Sequence, residues 1–286
     1  GYAVIVQTAD EIVREIRCQV KAGCDWIKVH VSGLPVRKTP MHGDGEIQAW
    51  TLDELRLVCD TAHALGVPVV GHCRNASSTR DAALAGFDMI LHASYMDEEA
   101  LGVVIDTGVS LVPTFTFLAN LIDYGDKIGS NPALQNIFRN EIAQSSAMLR
   151  RAYDAGVPLM CGSESGFSVT PYGDWHYREM GLFVEHLGLT PLEAIACATE
   201  AGASIFGLQN ELGRIEENYI ADLVLVEGDL EADINLLGEK TNIRAVFKAG
   251  KLVNMDQPLS DDWNIPGWRA GQYSTDILTY DLAHKK

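Results

Sequence analysis

Two short apolar runs, VPVV at 67–70 and FDMIL at 87–91, each lead into a histidine, His72 and His92. Between them, residues 77–86 carry Ser and Thr at the start, Ala83, Leu84 and Phe87 at helical spacing, and a stopping Gly86. That pattern predicts a short helix between two strands, with a histidine at the C-terminal end of each strand. In a parallel α/β barrel, such ends lie side by side on the face where active sites form. A lone histidine is more often a packing or surface residue than a ligand. Two in equivalent places on consecutive strands carry more weight.

The same helix–strand rhythm runs through residue 210 and predicts repeated βα units. Thr8 or Asp10 caps a helix to about Ala22, and CDWIKVHVSG follows as a strand over 25–31. Residues 34–50 read as a βα-loop holding His42. TLDELRLVCDTAHAL has Thr51 and Glu54 in capping-box spacing and a stop at Gly66; His63 on that helix reads as a surface or packing residue. A helix at 97–107 leads to a strand over 109–117, in which Pro113 marks an end or bulge. Residues 118–132 read as a loop, 132–155 as a long amphipathic helix and 157–162 as a buried strand. Helices are expected at 173–187, with His176 and Glu179 near its start, and after Thr190-Pro191.

Five strands, at 25–31, 67–72, 88–92, 109–117 and 157–162, are too few to close an eight-stranded barrel. The chain opens in mid-rhythm at GYAVIVQTADEIV, without Met, and the missing strands are expected upstream of Gly1. After Gly213 the texture changes to short alternating strands with glycine turns, the pattern of a small antiparallel sheet. From Asp256 a tail rich in Trp, Pro and Gly reads as an extended arm. The expected division is therefore 1–213, 214–255 and 256–286.

A formal net charge of −17 argues against nucleic acid or an anionic membrane as partner. No apolar run is long enough to span a bilayer. The six cysteines form no CxxC pair and read as reduced thiols, so a cytoplasmic protein is expected.

Four polar side chains fall at predicted strand ends: Lys28, His72, His92 and Glu164. Lys28 lies among β-branched residues, where burial opposes its charge. Either its head reaches water at the strand end, or its pKa is depressed and it serves as a nucleophile or ligand precursor. Imidazole nitrogen and carboxylate oxygen together suit Zn²⁺ or a similar divalent ion.

AGCDWIKVHVSG, VPVVGHC, MILHASYMDEEA, GVSLVPTFTF and GVPLMCGSES, in this order, resemble successive segments of the metal-dependent amidohydrolase superfamily. So does GRIEENYIADLVLVEGDL followed by IRAVFKAGKLV. The resemblance runs from Thr8 to Met255 and falls in the imidazolonepropionase/prolidase-like branch. That branch also holds Xaa-Pro dipeptidases, carboxypeptidases, ochratoxinase-like enzymes and hydrolases of phenylurea and thiocarbamate herbicides. The resemblance implies an α/β fold: a distorted (β/α)8 TIM barrel, of which this chain has the later strands, plus the C-terminal part of a small β-sandwich. It implies a metal-dependent hydrolase cleaving an amide, peptide, urea or carbamate C–N bond with metal-activated hydroxide, on one or two ions, Zn²⁺ first and Co²⁺ or Mn²⁺ next. By the same resemblance Lys28 is carboxylated by CO₂ and bridges the metals, and His72 and His92 are ligands. Glu164 is ligand and general base, shuttling the proton to the leaving nitrogen. Glu164 stands where the family carries aspartate, and the family's first-strand His-x-His pair has no counterpart in this chain. His30, Arg74, Tyr95 and His176 are candidates to touch a small-molecule substrate. Trp50, Phe115, Phe117, Phe167, Tyr172 and Trp175 suggest an apolar or aromatic leaving or acyl group on it, with many of the six expected to be core. A homo-oligomer is expected. Two other readings stay open: a Schiff-base aldolase using Lys28, and a site that has lost catalysis and serves as a binding or scaffold protein.

Overall fold

Four of the predicted apolar runs form strands of one parallel sheet in the computed structural model, which describes residues 3–33, 45–256 and 273–284. In chain order, α1 (Ala9–Lys21) leads to β1 (Ile27–His30), α2 (Leu52–His63) to β2 (Val69–Cys73), α3 (Ala76–Ala85) to β3 (Met89–His92), and α4 (Glu98–Thr107) to β4 (Ser110–Val112). The strands pair in sequence order, β1-β2-β3-β4, all parallel. A parallel bridge from Leu111 to Leu159 extends the ladder into the 157–162 run. These segments, with residues 141–159, form one compact unit. Its core is the β-branched face of the strands and the apolar stripes of the helices: Ile27, Val29, Val69, Ile90, Leu111, Leu55, Val58, Leu101 and Val104 are all buried.

Helix starts follow the capping chemistry. Thr8 and Thr51 each close a full capping box, with Glu11 and Glu54 reaching back to the cap. The helix between the two histidine-bearing strands is capped by Asn75, two residues before the expected start at Ser77, and Gly86 ends it at φ 94°. That left-handed stop is a conformation glycine adopts without steric cost. Thr51→Ala removes the cap acceptor from α2 and is expected to cost about 1 kcal/mol, read as a lower chemical-denaturation midpoint.

The expected strand at 109–117 and loop at 118–132 are corrected. Only Ser110–Val112 is strand, and α5 (Phe115–Tyr124) follows directly, continuing into a 3₁₀ turn at Gly125–Ile128. Pro113 has no N–H for the ladder, and Thr114 turns left-handed at φ 57°. The strand stops there, and FTFLANLIDY takes up helical periodicity.

Then come α6 (Pro132–Asp154), α7 (Arg178–Leu182) with a π-turn at Phe183–Leu187, α8 (Pro191–Ala198) and α9 (Glu200–Ile205). The helix expected at 173–187 thus begins only at Arg178, and the one after Pro191 breaks at Thr199, whose ψ is −77°. β5 (Leu223–Val226), β6 (Ile243–Lys248) and β7 (Lys251–Leu252) form the expected antiparallel sheet, in the order β5-β6-β7. α10 (Tyr280–His284) closes the described chain. The described residues of 114–140 and 160–284 make up the second compact unit. Trp175, Phe115, Phe117, Phe183, Leu121 and Leu278 are fully buried. Three of the aromatic residues expected to face substrate, Phe115, Phe117 and Trp175, are therefore core. Trp50 donates its indole N–H to the His30 carbonyl, 2.8 Å. Phe167 packs edge-on against Phe117 and Tyr273, whereas Tyr172 is exposed. His42, and the arm's Trp263 and Trp268, lie outside the described residues.

Candidate functional site

Register decides which side chains share a face. β1 and β2 align Lys28 with Val70 and His30 with His72. Alternation along a strand puts all four on one side of the sheet. β2 and β3 align His72 with Leu91 and Cys73 with His92. The two strand-end histidines are therefore not in equivalent places: His92 sits one residue out of step. A regular strand would point its ring away from His72, on the Cys73 side. The backbone corrects this. His92 is left-handed at φ 71°, as are Ala93 at φ 48° and Tyr95 at φ 58°. His92 Nε2 ends 2.9 Å from His72 Nδ1, with the ring centroids 4.4 Å apart. Non-glycine residues adopt such angles only where the surroundings impose them, and they gather at functional sites.

Around this pair the first unit builds a polar network. His72 Nε2 lies 2.7 Å from Glu46 Oε2, and Ser32 Oγ donates to the same oxygen at 3.0 Å. His30 packs its ring on His72, with centroids 4.7 Å apart. Arg74 makes two parallel bonds to Glu141, 2.9 and 2.7 Å, and Ser94 Oγ donates to that carboxylate at 2.6 Å. Charge follows burial. Desolvation first, then the neighbouring positive charges of His72 and Lys28, brings His30 down to about 4. Burial first, then the neighbouring charges of His72 and Arg74, holds His92 well below the ordinary histidine value. Burial alone would raise Glu46, but the His72 bond and the His72 and Arg74 charges hold it below the usual carboxylate range.

Of the sequence candidates, the first unit brings His30, His72 and His92 together. Lys28 is exposed on β1, and Tyr95 stands in the turn after β3, where its N–H donates to Ser145 Oγ at 3.2 Å. Arg74 is committed to Glu141 in a largely buried pair. In the second unit Glu164 is left-handed at φ 52°, and its carbonyl accepts from Thr170 Oγ1 at 2.8 Å. Beside it, Ser163 Oγ lies 3.1 Å from His176 Nδ1. Gly173 N–H donates to His176 Nε2 at 3.3 Å. A cavity of about 600 Å³ in this unit is lined by Ser163, His176, Tyr177, Met180, Val224 and Leu237, among others.

Two carboxylates that sequence reasoning missed are central to the first unit. Glu46 sits in an aperiodic loop and left no signal. Glu141 did leave one, since it shares the inward stripe of α6 with Phe138, Ile142, Ser145 and Leu149, all buried.

Residues 4–253 match the model of the amidohydrolase family. The chain is 26% identical over 260 residues to ochratoxinase of Aspergillus niger, covering 88% of this chain and 51% of that protein. It is 29% identical over 183 residues to imidazolonepropionase of Salmonella schwarzengrund, covering 62% of this chain and 39% of that protein. A crystal structure of a Xaa-Pro dipeptidase with methionine bound in its active site superposes with a TM-score of 0.73 at 30% identity, over 88% of this chain and 61% of that one. The chain thus spans about half the length of the curated relatives it matches. With a family match over most of its residues, and relatives from the branch its motifs resemble, the chain belongs to the amidohydrolase family.

Proposed function

We propose that this chain is part of a divalent-metal-dependent hydrolase that cleaves a carbon–nitrogen bond in an amide, peptide, urea or carbamate. The observation that carries this reading is the His72–His92 pair, turned ring to ring at the ends of adjacent parallel strands. In the same reading residues 1–213 are the later part of a (β/α)8 barrel, 214–255 belong to a β-sandwich and 256–286 form an arm. The donor chemistry fits a metal. Burial favours neutral imidazole, the form that ligates Zn²⁺. Lys28 shares a sheet face with His30 and His72, and once carboxylated it would add an oxygen ligand. Lys28, His72, His92 and Glu164 would hold one or two ions, Zn²⁺ before Co²⁺ or Mn²⁺. A bound ion supplies polarisation of the scissile carbonyl and a water of lowered pKa.

The chain's own groups do the rest. Glu164 accepts a proton and returns it to the leaving nitrogen, which departs as an amine. His30, Arg74, Tyr95 and His176 orient a small-molecule substrate, with Arg74 held in place by its pair with Glu141. Relatives named ochratoxinase and Xaa-Pro dipeptidase support a C–N bond as the target. A cytoplasmic homo-oligomer is the setting we infer; among the described residues no helix is long and apolar enough to cross a membrane.

Metal analysis of the purified protein tests the reading, with close to stoichiometric Zn, Co or Mn expected. Glu164→Ala is expected to lower metal content and to slow turnover about 100-fold on a panel of N-acyl amino acids, dipeptides and aryl ureas. Unchanged hydrolysis would remove Glu164 from the mechanism. A metal-free protein inert on the whole panel would favour a binding or scaffold role.

A further inference from the structure

Glu46 is placed with more care than a chance counter-ion needs. Its segment is fastened to the loops after both neighbouring strands. After β1, Gly33 N–H donates to the Ile47 carbonyl at 3.1 Å, and Ser32 Oγ donates to the Glu46 carboxylate. After β2, Glu46 N–H donates to the Arg74 carbonyl at 3.1 Å, and the Asn75 amide donates to the Glu46 carbonyl. Ser32 Oγ ties the two sides together by accepting from Arg74 N–H at 2.9 Å. Preceding Glu46, Gly45 has φ +103°, and a Cβ there would stand 2.1 Å from the Arg74 carbonyl oxygen. Only glycine allows this approach.

All of this aims one carboxylate oxygen at one ring nitrogen, His72 Nε2 at 2.7 Å. A carboxylate accepts, so Nε2 carries the hydrogen whether His72 is neutral or charged. In the neutral ring Nδ1 then presents a lone pair, and Nδ1 is the atom that faces His92. We propose that Glu46 is a positioning residue: it fixes the tautomer and ring direction of His72 so that Nδ1 is the ligating atom. Carboxylates behind ligating imidazoles orient the ring and raise its basicity, and removing them typically weakens metal binding about 10–100-fold. The inference rests on the metal reading above and names the atom and the residue that prepare it.

Two measurements on the full chain test it. Long-range ¹H–¹⁵N spectra of the metal-free protein are expected to show His72 as a single tautomer protonated at Nε2, and Glu46→Gln is expected to lose that single-tautomer pattern. Zn²⁺ affinity, measured by competition with a chelator, is expected to fall about 10–100-fold in Glu46→Gln. Glu46→Asp, shorter but still charged, is expected to bind Zn²⁺ more tightly than the isosteric Gln variant. A packing role predicts the reverse order. An unchanged tautomer in Glu46→Gln, an affinity within about twofold of wild type, or Asp weaker than Gln each overturns the proposal. If the wild-type protein takes up no Zn²⁺, the metal reading fails, and the tautomer spectra still decide what Glu46 does.

Discussion

Replacing Glu141 with Ala is expected to destabilise the protein by about 3–5 kcal/mol, the cost of stranding one member of a buried ion pair. The side chains of Arg74 and Glu141 are 11% and 4% exposed. The geometry is the parallel two-bond fork that makes arginine–carboxylate pairs strong. Ser94 loses its acceptor in the same substitution, and an unpaired buried hydroxyl adds to the cost. A chemical-denaturation midpoint shifted at constant slope is the measurement. Arg74→Met combined with Glu141→Leu removes both charges and fills the volume, so it is expected to recover most of the loss. A Glu141→Ala loss below about 1 kcal/mol would show that water or a neighbour solvates Arg74 there, contrary to this account.

The second large effect belongs to Glu179. This residue is 0% exposed and accepts from the N–H groups of Phe115 and Thr116 at 2.7 Å each, and from the Thr116 hydroxyl. Its carboxylate therefore caps α5, whose own Thr114 makes no side-chain cap. Glu179→Ala leaves three buried donors unpaired and is expected to cost about 3 kcal/mol or more. The residue also makes stability depend on pH. Burial raises its pKa from 4.5 to about 7, against the three donors that favour the ionised form. The folded protein thus holds this proton more tightly than the unfolded chain. Its contribution is complete below about 4.5 and is lost as pH rises through about 7. At 1.36 kcal/mol per unit, the change over that window is on the order of 3 kcal/mol. Against Glu179→Gln, which does not titrate, wild-type stability is expected to decline between those two values. A difference that stays flat with pH would mean that the three donors keep Glu179 ionised throughout.

Helix caps and parallel strands were readable because their signals are local. Thr51 and Glu54 lie three apart, and VPVV and FDMIL announce strands through composition alone. Strand 109–117 misled because Val109, Leu111, Phe115 and Phe117 alternate convincingly. Its end is set by Pro113, by left-handed Thr114 and by an acceptor 63 residues away, Glu179 on Thr116. No short window contains that acceptor. Glu46 was hidden for a related reason: a loop residue held by Ser32, Arg74 and Asn75 shows no period. The sequence singles out His72 and His92, but their equivalence is an assumption about register that only the ladder corrects.

That one-residue offset bears on any attempt to transplant the pair. His92 reaches His72 through its own backbone dihedral, not through its rung in the ladder. Two histidines copied onto matching strands of another parallel sheet would arrive back to back unless the left-handed turn travelled with them. Position 92 also filters its own replacements. Asn and Asp tolerate that conformation nearly as histidine does, whereas a β-branched residue opposes it. The choice of side chains open to this position is narrowed by the peptide chain before any ligand chemistry is asked of it.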